Sequence, residues 1–568
     1  MGANDATLTE ALKELRDNWA LEVEGVLADK YSIWLGSGIS RERFPGLREL
    51  LESILTRLQG MVNAGDPACP FRRLLNEIFD LTTVRGIDPA TPVPSWNGGN
   101  PNELIEQLIS KYPEVLDKDM RENGVARDLF WDVLELQTIY ADPTVAPDAE
   151  HVFLSLLVHE GILTDLATTN SDPLIEAADQ NGRQTLTRPL KVVACREELN
   201  GSRDGGCARL LKIHGCARRA SDNPGRYRRF IVAKRSDINN WIGDQFHEPV
   251  RVEVRSILQQ KLCFFIGLSG QDFNLQAAYV AASLLGVPFP INPFRVLFSE
   301  PRIGSSQQAI LKAVYSQEGY LADADEIDRK AALPLYAKPL LGSLYLLSLI
   351  RKLGLFLARG GGDMDAWQRA LAEQWLIDVE TCVCARYDSI VDLNERWRQL
   401  ALELPHFISR FLCLYRRQET PLALTTYEAL SHGDLERMTG DPNLPHLNIH
   451  WLLLAIALMA EGRNRGFWVI GLPTGEGGEH GQMIIGLPAR TIRLFIIGDP
   501  VGLARLEKSG FVEPGSATNL LVIYPRGSLP PGRRRSPQRA SLPRSTVSRD
   551  IPEVALIDVL LTSHNIMQ

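Results

Sequence analysis

The sequence lacks the features that mark zinc knuckles, secreted domains and membrane spans. None of its 8 cysteines forms a CxxC pair with another, which argues against a structural zinc site. Scattered, unpaired cysteines suit a reducing cytosol. The longest apolar run, WLLLAIALMA at 451–460, is too short to cross a bilayer and predicts a buried helix. The amino-terminal stretch has no apolar signal-peptide core, so we expect a cytoplasmic protein without a membrane partner.

A strong charge imbalance is also lacking. The net charge of −8 over 568 residues gives no overall reason to expect nucleic acid as a partner. One segment differs, because 526–549 is rich in arginine, proline and serine and contains no acidic residue. This composition predicts disorder. We interpret the segment as a solvated linker, with a nucleic-acid-binding arm as the alternative.

The length predicts more than one domain, because 568 residues exceed a single ordinary core. Short apolar strands alternate with helical segments up to about residue 302, which favours an α/β fold with a doubly wound, mostly parallel, Rossmann-like sheet. A helical and mixed carboxyl-terminal part follows. The predicted units are an α/β domain at 1–302, a mainly helical domain at 303–465, a small α/β segment at 466–525, a disordered segment at 526–550 and a terminal helix at 551–568.

The most informative stretch is KYSIWLGSGIS, residues 30–40. An apolar run ends at Gly36-Ser37-Gly38, and leucines at helical spacing begin at Leu47. This pattern predicts a strand, a tight glycine turn and then a helix. Glycine lets backbone N–H groups approach a phosphate closely, and a following helix adds partial positive charge. A glycine turn alone is a weak signal for nucleotide binding.

Three later stretches strengthen that signal. They are TTNSD at 168–172, KIHG at 212–215 and GLSGQD at 267–272. Each follows an apolar run that predicts a strand, as GSGIS at 36–40 does. Open α/β sheets bind ligands at the carboxyl ends of their strands. We therefore expect the four stretches to converge on one crevice.

In this order the four stretches resemble the sirtuin (silent information regulator) family of NAD-consuming enzymes, over about residues 31–298. The resemblance implies NAD as the substrate and a set of site residues. Asn170 would position the ribose or the attacking water, Asp172 would meet the nicotinamide amide, and His214 would be the general base. The remaining implied NAD contacts are Gly36, Ser37, Gly38, Ser40, Thr169, Gly267, Ser269 and Asp272.

The sequence also departs from the deacylating sirtuins. Cys216 follows the histidine motif but has no CxxC companion for a zinc module, so we expect no metal. The chain is more similar to the bacterial branch that hydrolyses free NAD in anti-phage defence, where NAD loss halts the infected cell. That resemblance implies a homo-oligomer and an activating partner. The candidates are a HerA-type ATPase, a prokaryotic Argonaute or a phage protein.

Each site residue also has a purely structural explanation. His214 could be a hydrogen-bonded core histidine, and Asn170 or Asp172 could cap the following helix. Ser269 and Asp272 could be helix caps as well. His151 and His159 lie on one predicted helix but lack acidic partners in the sequence, which argues against a metal site there.

Three functions follow as hypotheses. The first is an NAD glycohydrolase that releases ADP-ribose and nicotinamide. The second is a protein deacylase or ADP-ribosyltransferase of the same fold. The third is a sensor that binds NAD or ADP-ribose without turnover.

Overall fold

The apolar strand that precedes the first glycine turn lies in the middle of a parallel sheet. The computed structural model describes residues 6–89, 100–122, 125–182, 190–199, 207–268, 270, 275–276, 278, 292–360, 373, 376–377, 380–381, 383–413, 469–471, 483–487, 490–496 and 520–523. All five residues of this strand are buried, and all but Ser32 are apolar or aromatic, as expected for a strand covered on both faces. Each buried apolar side chain contributes about 2 kcal/mol when removed from water.

The sheet has seven strands, in the order β5-β6-β4-β1-β7-β8-β9. All six strand pairs in it are parallel. From β1 the chain builds one side of the sheet and then crosses to the other, so the predicted doubly wound α/β sheet is confirmed. The strands of this sheet are β1 Tyr31–Leu35, β4 Asp165–Thr168, β5 Leu190–Val193, β6 Ala208–Lys212, β7 Leu262–Ile266, β8 Val296–Ser299 and β9 Ala332–Leu333.

Helices connect and flank the strands. Among the described residues they are α1 Leu8–Asn18, α2 Ala20–Leu27, α3 Leu47–Gly60, α4 Pro70–Phe79, α5 Asn100–Ile109, α6 Tyr112–Leu116, α7 Leu136–Tyr140, α8 Ala149–His159, α9 Leu174–Gly182, α10 Ala217–Asp222, α11 Pro224–Tyr227, α12 Arg235–Trp241, α13 Glu248–Gln260, α14 Ser305–Tyr315, α15 Gln317–Ala322, α16 Ala324–Ala331, α17 Ala337–Gly360 and α18 Leu393–Cys413.

A separate helical module lies between β1 and β4. Helices α3 to α7 and the antiparallel hairpin of β2 Asp119–Glu122 and β3 Val125–Asp128 belong to this stretch. Their apolar side chains form a second hydrophobic cluster, to which Ala220 and Ile231 contribute from beyond β6. The sequence predicted mixed helix and loop here, with a loop over 86–103. Helix α5 already begins at Asn100, and residues 90–99 lie outside the described part.

The helices that follow the sheet share its hydrophobic core. One cluster of buried residues extends from α1 through every strand of the seven-stranded sheet and on to Leu404 in α18. The sequence placed a boundary at 302/303. Beyond that position β9 still pairs with β8, through Phe298 opposite Ala332. The residues before and after the predicted boundary are therefore joined by the pairing of β8 with β9 and by a common hydrophobic core.

A four-stranded sheet is described near the carboxyl-terminal end. Its strands are β10 Val469–Gly471, β11 Met483–Leu487, β12 Arg490–Ile496 and β13 Leu520–Ile523. The first three pair antiparallel, and β12 pairs parallel with β13. The apolar run at 451–460, the arginine-rich segment and the terminal helix predicted at 551–568 lie outside the described residues.

The apolar spacing over residues 8–29 predicts one amino-terminal helix, but the structure has two, because Trp19 leaves helical geometry with φ −131° and ψ 23°. Periodicity does not detect one residue that departs from the helix. In the part of the chain that has been described, none of the helices has the length and apolarity to cross a membrane.

Candidate functional site

Four strands that carry the predicted motifs end at the same level of the sheet. Leu35 of β1 lies opposite Thr168 of β4 and opposite Ile266 of β7. Thr168 in turn lies opposite Lys212 of β6. Because the four strands are parallel and adjacent, the turns that follow them leave one edge of the sheet side by side. The structure thus brings together GSGIS, TTNSD, KIHG and the start of GLSGQD.

The glycine turns after β1 and β7 pack directly against each other. A Cβ on Gly36 would lie 2.5 Å from the carbonyl oxygen of Gly267, and one on Gly38 would lie 2.6 Å from the Gly267 Cα. Gly267 itself has a positive φ of +63°. We predicted that glycine is needed here for the approach of a phosphate. The structure shows a further requirement for glycine, because the two backbones leave no space for a side chain between them.

Asn170 is held by the turn after β1 and does not cap the following helix. Its Nδ2 donates a hydrogen bond to the Gly36 carbonyl oxygen at 3.0 Å and lies 3.4 Å from Ser40 Oγ. Its backbone N–H donates to Thr168 Oγ1 at 3.0 Å. Asn170 is half-buried, so part of the side chain remains accessible at the edge of the sheet. The simple capping explanation for Asn170 is therefore not what the structure shows.

Asp172 does cap the next helix, and it has a second partner as well. Its Oδ1 accepts a hydrogen bond from the Leu174 N–H at 3.1 Å, at the start of α9. Its Oδ2 accepts a hydrogen bond from Ser40 Oγ at 3.0 Å. Asp172 and Ser40 are both buried. The sequence implied that Ser40 contacts a diphosphate and Asp172 a nicotinamide, and both roles remain predictions.

A buried lysine that the sequence analysis missed supports the same turn. Lys212, the last residue of β6, donates hydrogen bonds to the Asp172 carbonyl oxygen and, at 2.8 Å, to Glu176 Oε1. The Glu176 carboxylate is the largest favourable influence on the ammonium and helps to keep its pKa above the usual value, against the opposing effect of burial. A charged residue at the end of an apolar strand was the available signal. A buried lysine needs such a partner.

His214 lies on the neighbouring turn. The Ile213 N–H donates to the Thr168 carbonyl oxygen at 2.9 Å, and the Ala217 N–H donates to that of Ser171 at 2.8 Å, so the chain around His214 runs beside the TTNSD turn. Gly215 has φ +77°, and a Cβ there would lie 2.5 Å from the Phe230 carbonyl oxygen. His214 is half-buried as a residue, and its Nε2 atom is buried.

His247 is a second histidine in this neighbourhood. It packs edge-on against Phe230, with ring centroids 5.7 Å apart, and it is close enough to His214 for the two rings to influence each other electrostatically. Burial lowers the pKa of His247 to about 4, so this ring is neutral near pH 7. The sequence offered no motif that would have identified it.

His151 is a third residue near these turns for which the sequence predicted no role in the site. It lies in the first turn of α8, is fully buried, and its Nε2 lies 3.2 Å from Ser40 Oγ. Its Nδ1 accepts the Asp148 N–H at 3.2 Å. Burial lowers the pKa of His151 to about 4. The other histidine of α8, His159, faces Asp179 at 3.1 Å.

The remaining predicted residues divide into three groups. Thr169 is half-buried, and its N–H donates to the Leu35 carbonyl oxygen at 3.3 Å, so it belongs to the same group of turns. Ser37 and Gly38 are exposed at the edge of the sheet. Ser269 and Asp272 lie outside the described residues, so their predicted roles remain predictions.

The described residues contain no group of three or more histidine, cysteine, aspartate or glutamate side chains that could hold a metal ion. Cys216 is buried, and burial raises the pKa of its thiol. Its Sγ lies 3.7 Å from Glu176 Oε1, so this side chain is part of the packing under the TTNSD turn.

Residues 164–284 match the family model of the SIR2-like domain. The match includes three of the four motifs, TTNSD, KIHG and GLSGQD, and the structure places the fourth, GSGIS, against them. The predicted resemblance to the sirtuin family is thus confirmed over this segment. No curated protein sequence matches the chain.

SIR2-like domains bind NAD, and the matched segment includes three of the four turns at this edge of the sheet. The turns offer amide and imidazole groups, and the small residues Ser37 and Gly38 leave the rim of the turn open. A dinucleotide needs such an edge, with backbone that can be approached closely and polar side chains on adjacent strands. The residues present therefore fit NAD as a ligand.

Proposed function

We propose that the protein is an NAD+ glycohydrolase, which converts NAD+ and water into ADP-ribose, nicotinamide and a proton. One observation carries the proposal. Asn170 and His214 follow adjacent strands that end at the same level, inside the segment that matches the SIR2-like domain. A fixed carboxamide and a half-buried imidazole beside each other supply the orientation and the base that this hydrolysis needs.

The reaction requires positioning more than covalent chemistry. The bond between nicotinamide and ribose breaks, positive charge develops on the ribose, and water forms the new bond to the same carbon. In our proposal Asn170 orients the ribose or the water, and its hydrogen bond to the Gly36 carbonyl limits its rotation. His214 accepts a proton from a ribose hydroxyl or from water, since a neutral imidazole has one ring nitrogen free of a proton.

A fluorescent etheno-NAD assay tests the proposal. We expect Asn170→Ala and His214→Ala each to lower kcat at least about 100-fold, the range for loss of a positioned catalytic group. Asn76→Ala is the matched control, because Asn76 is an exposed residue of α4 remote in sequence from every motif. Circular dichroism should show the same folded state for all variants. Unfolding of either site variant would favour the structural explanation for that residue.

The alternatives give different products. Nicotinamide release that requires an added acyl-lysine peptide, or transfer of ADP-ribose to protein, would replace hydrolysis by a deacylase or transferase activity. Tight binding of NAD without turnover, unchanged by His214→Ala, would make the protein a sensor. Mass spectrometry of the nucleotide products distinguishes these outcomes from free ADP-ribose.

The cellular role that we propose is that of an effector in bacterial anti-phage defence, acting in the cytoplasm. An unrestrained NAD hydrolase would be toxic to its host, so we expect low activity in isolation and activation by a partner or a phage protein. Cellular NAD should fall after infection in cells with the wild type and stay constant with His214→Ala. Constant NAD in both strains, despite activity in vitro, would contradict the defence role.

A further inference from the structure

We propose that His151 is a positioning residue for the reaction, which acts through Ser40 on Asn170 and Asp172. This inference rests on the proposed hydrolase function. His151 lies 111 residues from Ser40 in the sequence, on a different element, and it has no place in the four motifs. The contact between them leads directly into the turn that carries Asn170.

The hydrogen bonds define which ring nitrogen of His151 carries the proton. The Asp148 N–H donates to Nδ1 at 3.2 Å, so Nδ1 of the neutral ring is the acceptor. Nε2 therefore carries the proton and donates it to Ser40 Oγ at 3.2 Å. The ring is fully buried, at 0% exposure, and has no access to water that could replace this partner.

The Ser40 hydroxyl then has a single possible orientation. Its oxygen accepts hydrogen bonds from His151 and, at 3.4 Å, from Asn170 Nδ2. A hydroxyl has two acceptor sites and one proton, so the proton is left for Asp172 Oδ2 at 3.0 Å. His151 thus determines the direction of the hydroxyl, and the hydroxyl in turn contacts the carboxamide and the carboxylate of the TTNSD turn.

His151 also has a purely structural role, which an experiment must separate from positioning. It is the third residue of α8, and its contact with the Asp148 N–H belongs to a capping box. Loss of a cap destabilises a helix by about 1 kcal/mol but has no reason to affect turnover. Positioning of Asn170 instead predicts a fall in kcat with little change in KM, because the contact matters for orientation of the reacting groups.

The kinetic test is a double-mutant cycle with His151→Leu and Ser40→Ala. We expect each single change to lower kcat about 10- to 100-fold. The kcat of the double variant should be at most about threefold below that of the less active single variant, because both changes interrupt the same contact. Multiplicative losses, or an unchanged kcat in Ser40→Ala, would overturn the proposal. Ser40→Ala removes one oxygen atom and keeps the test valid if His151→Leu fails to fold.

His159→Leu is the matched control. His159 lies on the same helix and is similarly buried, but its partner Asp179 belongs to α9 and not to the four turns. We expect this variant to lose stability and to keep kcat. An equal loss of kcat in His159→Leu would mean that any disturbance of α8 affects turnover, and would contradict a specific role for His151.

A crystal structure of Ser40→Ala provides a readout that does not depend on activity. We expect the Asn170 carboxamide to move from the Gly36 carbonyl oxygen once its second contact is gone. An Asn170 side chain that stays in place would overturn the positioning role even if kcat falls. If the wild type hydrolyses no NAD with any activator while this displacement is observed, the proposed function fails and the positioning of Asn170 by the His151–Ser40 contact stands.

Discussion

Gly267 shows how a single residue supports two turns at once. It combines a positive φ with a position where a Cβ would lie 2.8 Å from the Ile39 backbone nitrogen. The positive φ and the close approach each disfavour a side chain at this position. A side chain here would also displace the turn after β1, because Ile39 belongs to that turn. The same position therefore decides the geometry of both glycine turns at the edge of the sheet.

We predict that Gly267→Ala lowers the free energy of unfolding by about 2–3 kcal/mol, from backbone strain and from the displaced turn. Two glycines provide controls. Gly86 has φ +81° with nothing within 4 Å, so Gly86→Ala reports strain alone, at about 1 kcal/mol. Gly60 in α3 has neither property, and Gly60→Ala should be neutral or slightly stabilising.

Urea unfolding of the three variants measures the differences. Equal losses of unfolding free energy in Gly267→Ala and Gly86→Ala would show that the two turns do not support each other.

At the scale of residues, the sequence predicted which positions are near the site but not their contacts. TTNSD and KIHG were predictable because turn residues follow apolar strands, and this pattern spans only about ten residues. The contacts of Asn170 with Gly36 and of Asp172 with Ser40 were not predictable, because these partners come from the turn after β1. Side-chain contacts between segments so distant in sequence depend on how the elements pack.

Helix α17 is the element that most clearly joins the later part of the chain to the sheet. Lys352 donates a hydrogen bond to the Glu160 carbonyl oxygen at 2.8 Å and forms an ion pair with its carboxylate at the end of α8. Both side chains are almost completely buried, at 0% and 1% exposure. Nearer its amino-terminal end, Lys338 contacts Glu42 at 2.7 Å and Asp148 at 3.2 Å. Helix α17 therefore contacts both ends of α8, which carries His151.

We predict that Lys352→Met lowers the free energy of unfolding by about 3–5 kcal/mol, because the Glu160 carboxylate stays buried without its cation. The double variant Lys352→Met with Glu160→Met should recover most of that loss, since no charge remains buried. The adjacent Arg351 is the control. It forms a surface ion pair with Glu24, so Arg351→Met should cost less than about 1 kcal/mol.

Urea unfolding at pH 7 measures all three. A loss in Lys352→Met no larger than that in Arg351→Met would show that the buried pair does not join the two helices.

For the whole molecule, the question is which residues fold together. Strand β9 completes the sheet after the predicted boundary at 302/303, and the common core continues to Leu404. A chain that ended at 302 would expose the apolar surface that α17 and α18 cover on α8. Burial of apolar surface is a main source of folding free energy, and the net stability of a typical domain is only about 5–15 kcal/mol. We therefore expect exposure of this surface to exceed what the fragment can tolerate.

We therefore predict that a fragment of residues 1–302 shows no cooperative thermal transition, while a fragment of residues 1–413 unfolds cooperatively. Differential scanning calorimetry of the two fragments and the full chain provides the measurement. A cooperative transition of the shorter fragment at the temperature of the full chain would establish 1–302 as an independent domain, as the sequence pattern favoured.

The sequence by itself determined the alternation of strands and helices, the positions of the four turns and the resemblance to sirtuins. These features depend on local periodicity and turn chemistry, which neighbouring residues specify. Only the tertiary structure decided that four strands end at one level, that Gly36 and Gly38 pack against Gly267, and that His151 contacts Ser40. These relations depend on strand register and on packing between distant segments, because a hydrogen bond or a close backbone contact is made only where the fold brings its two partners together.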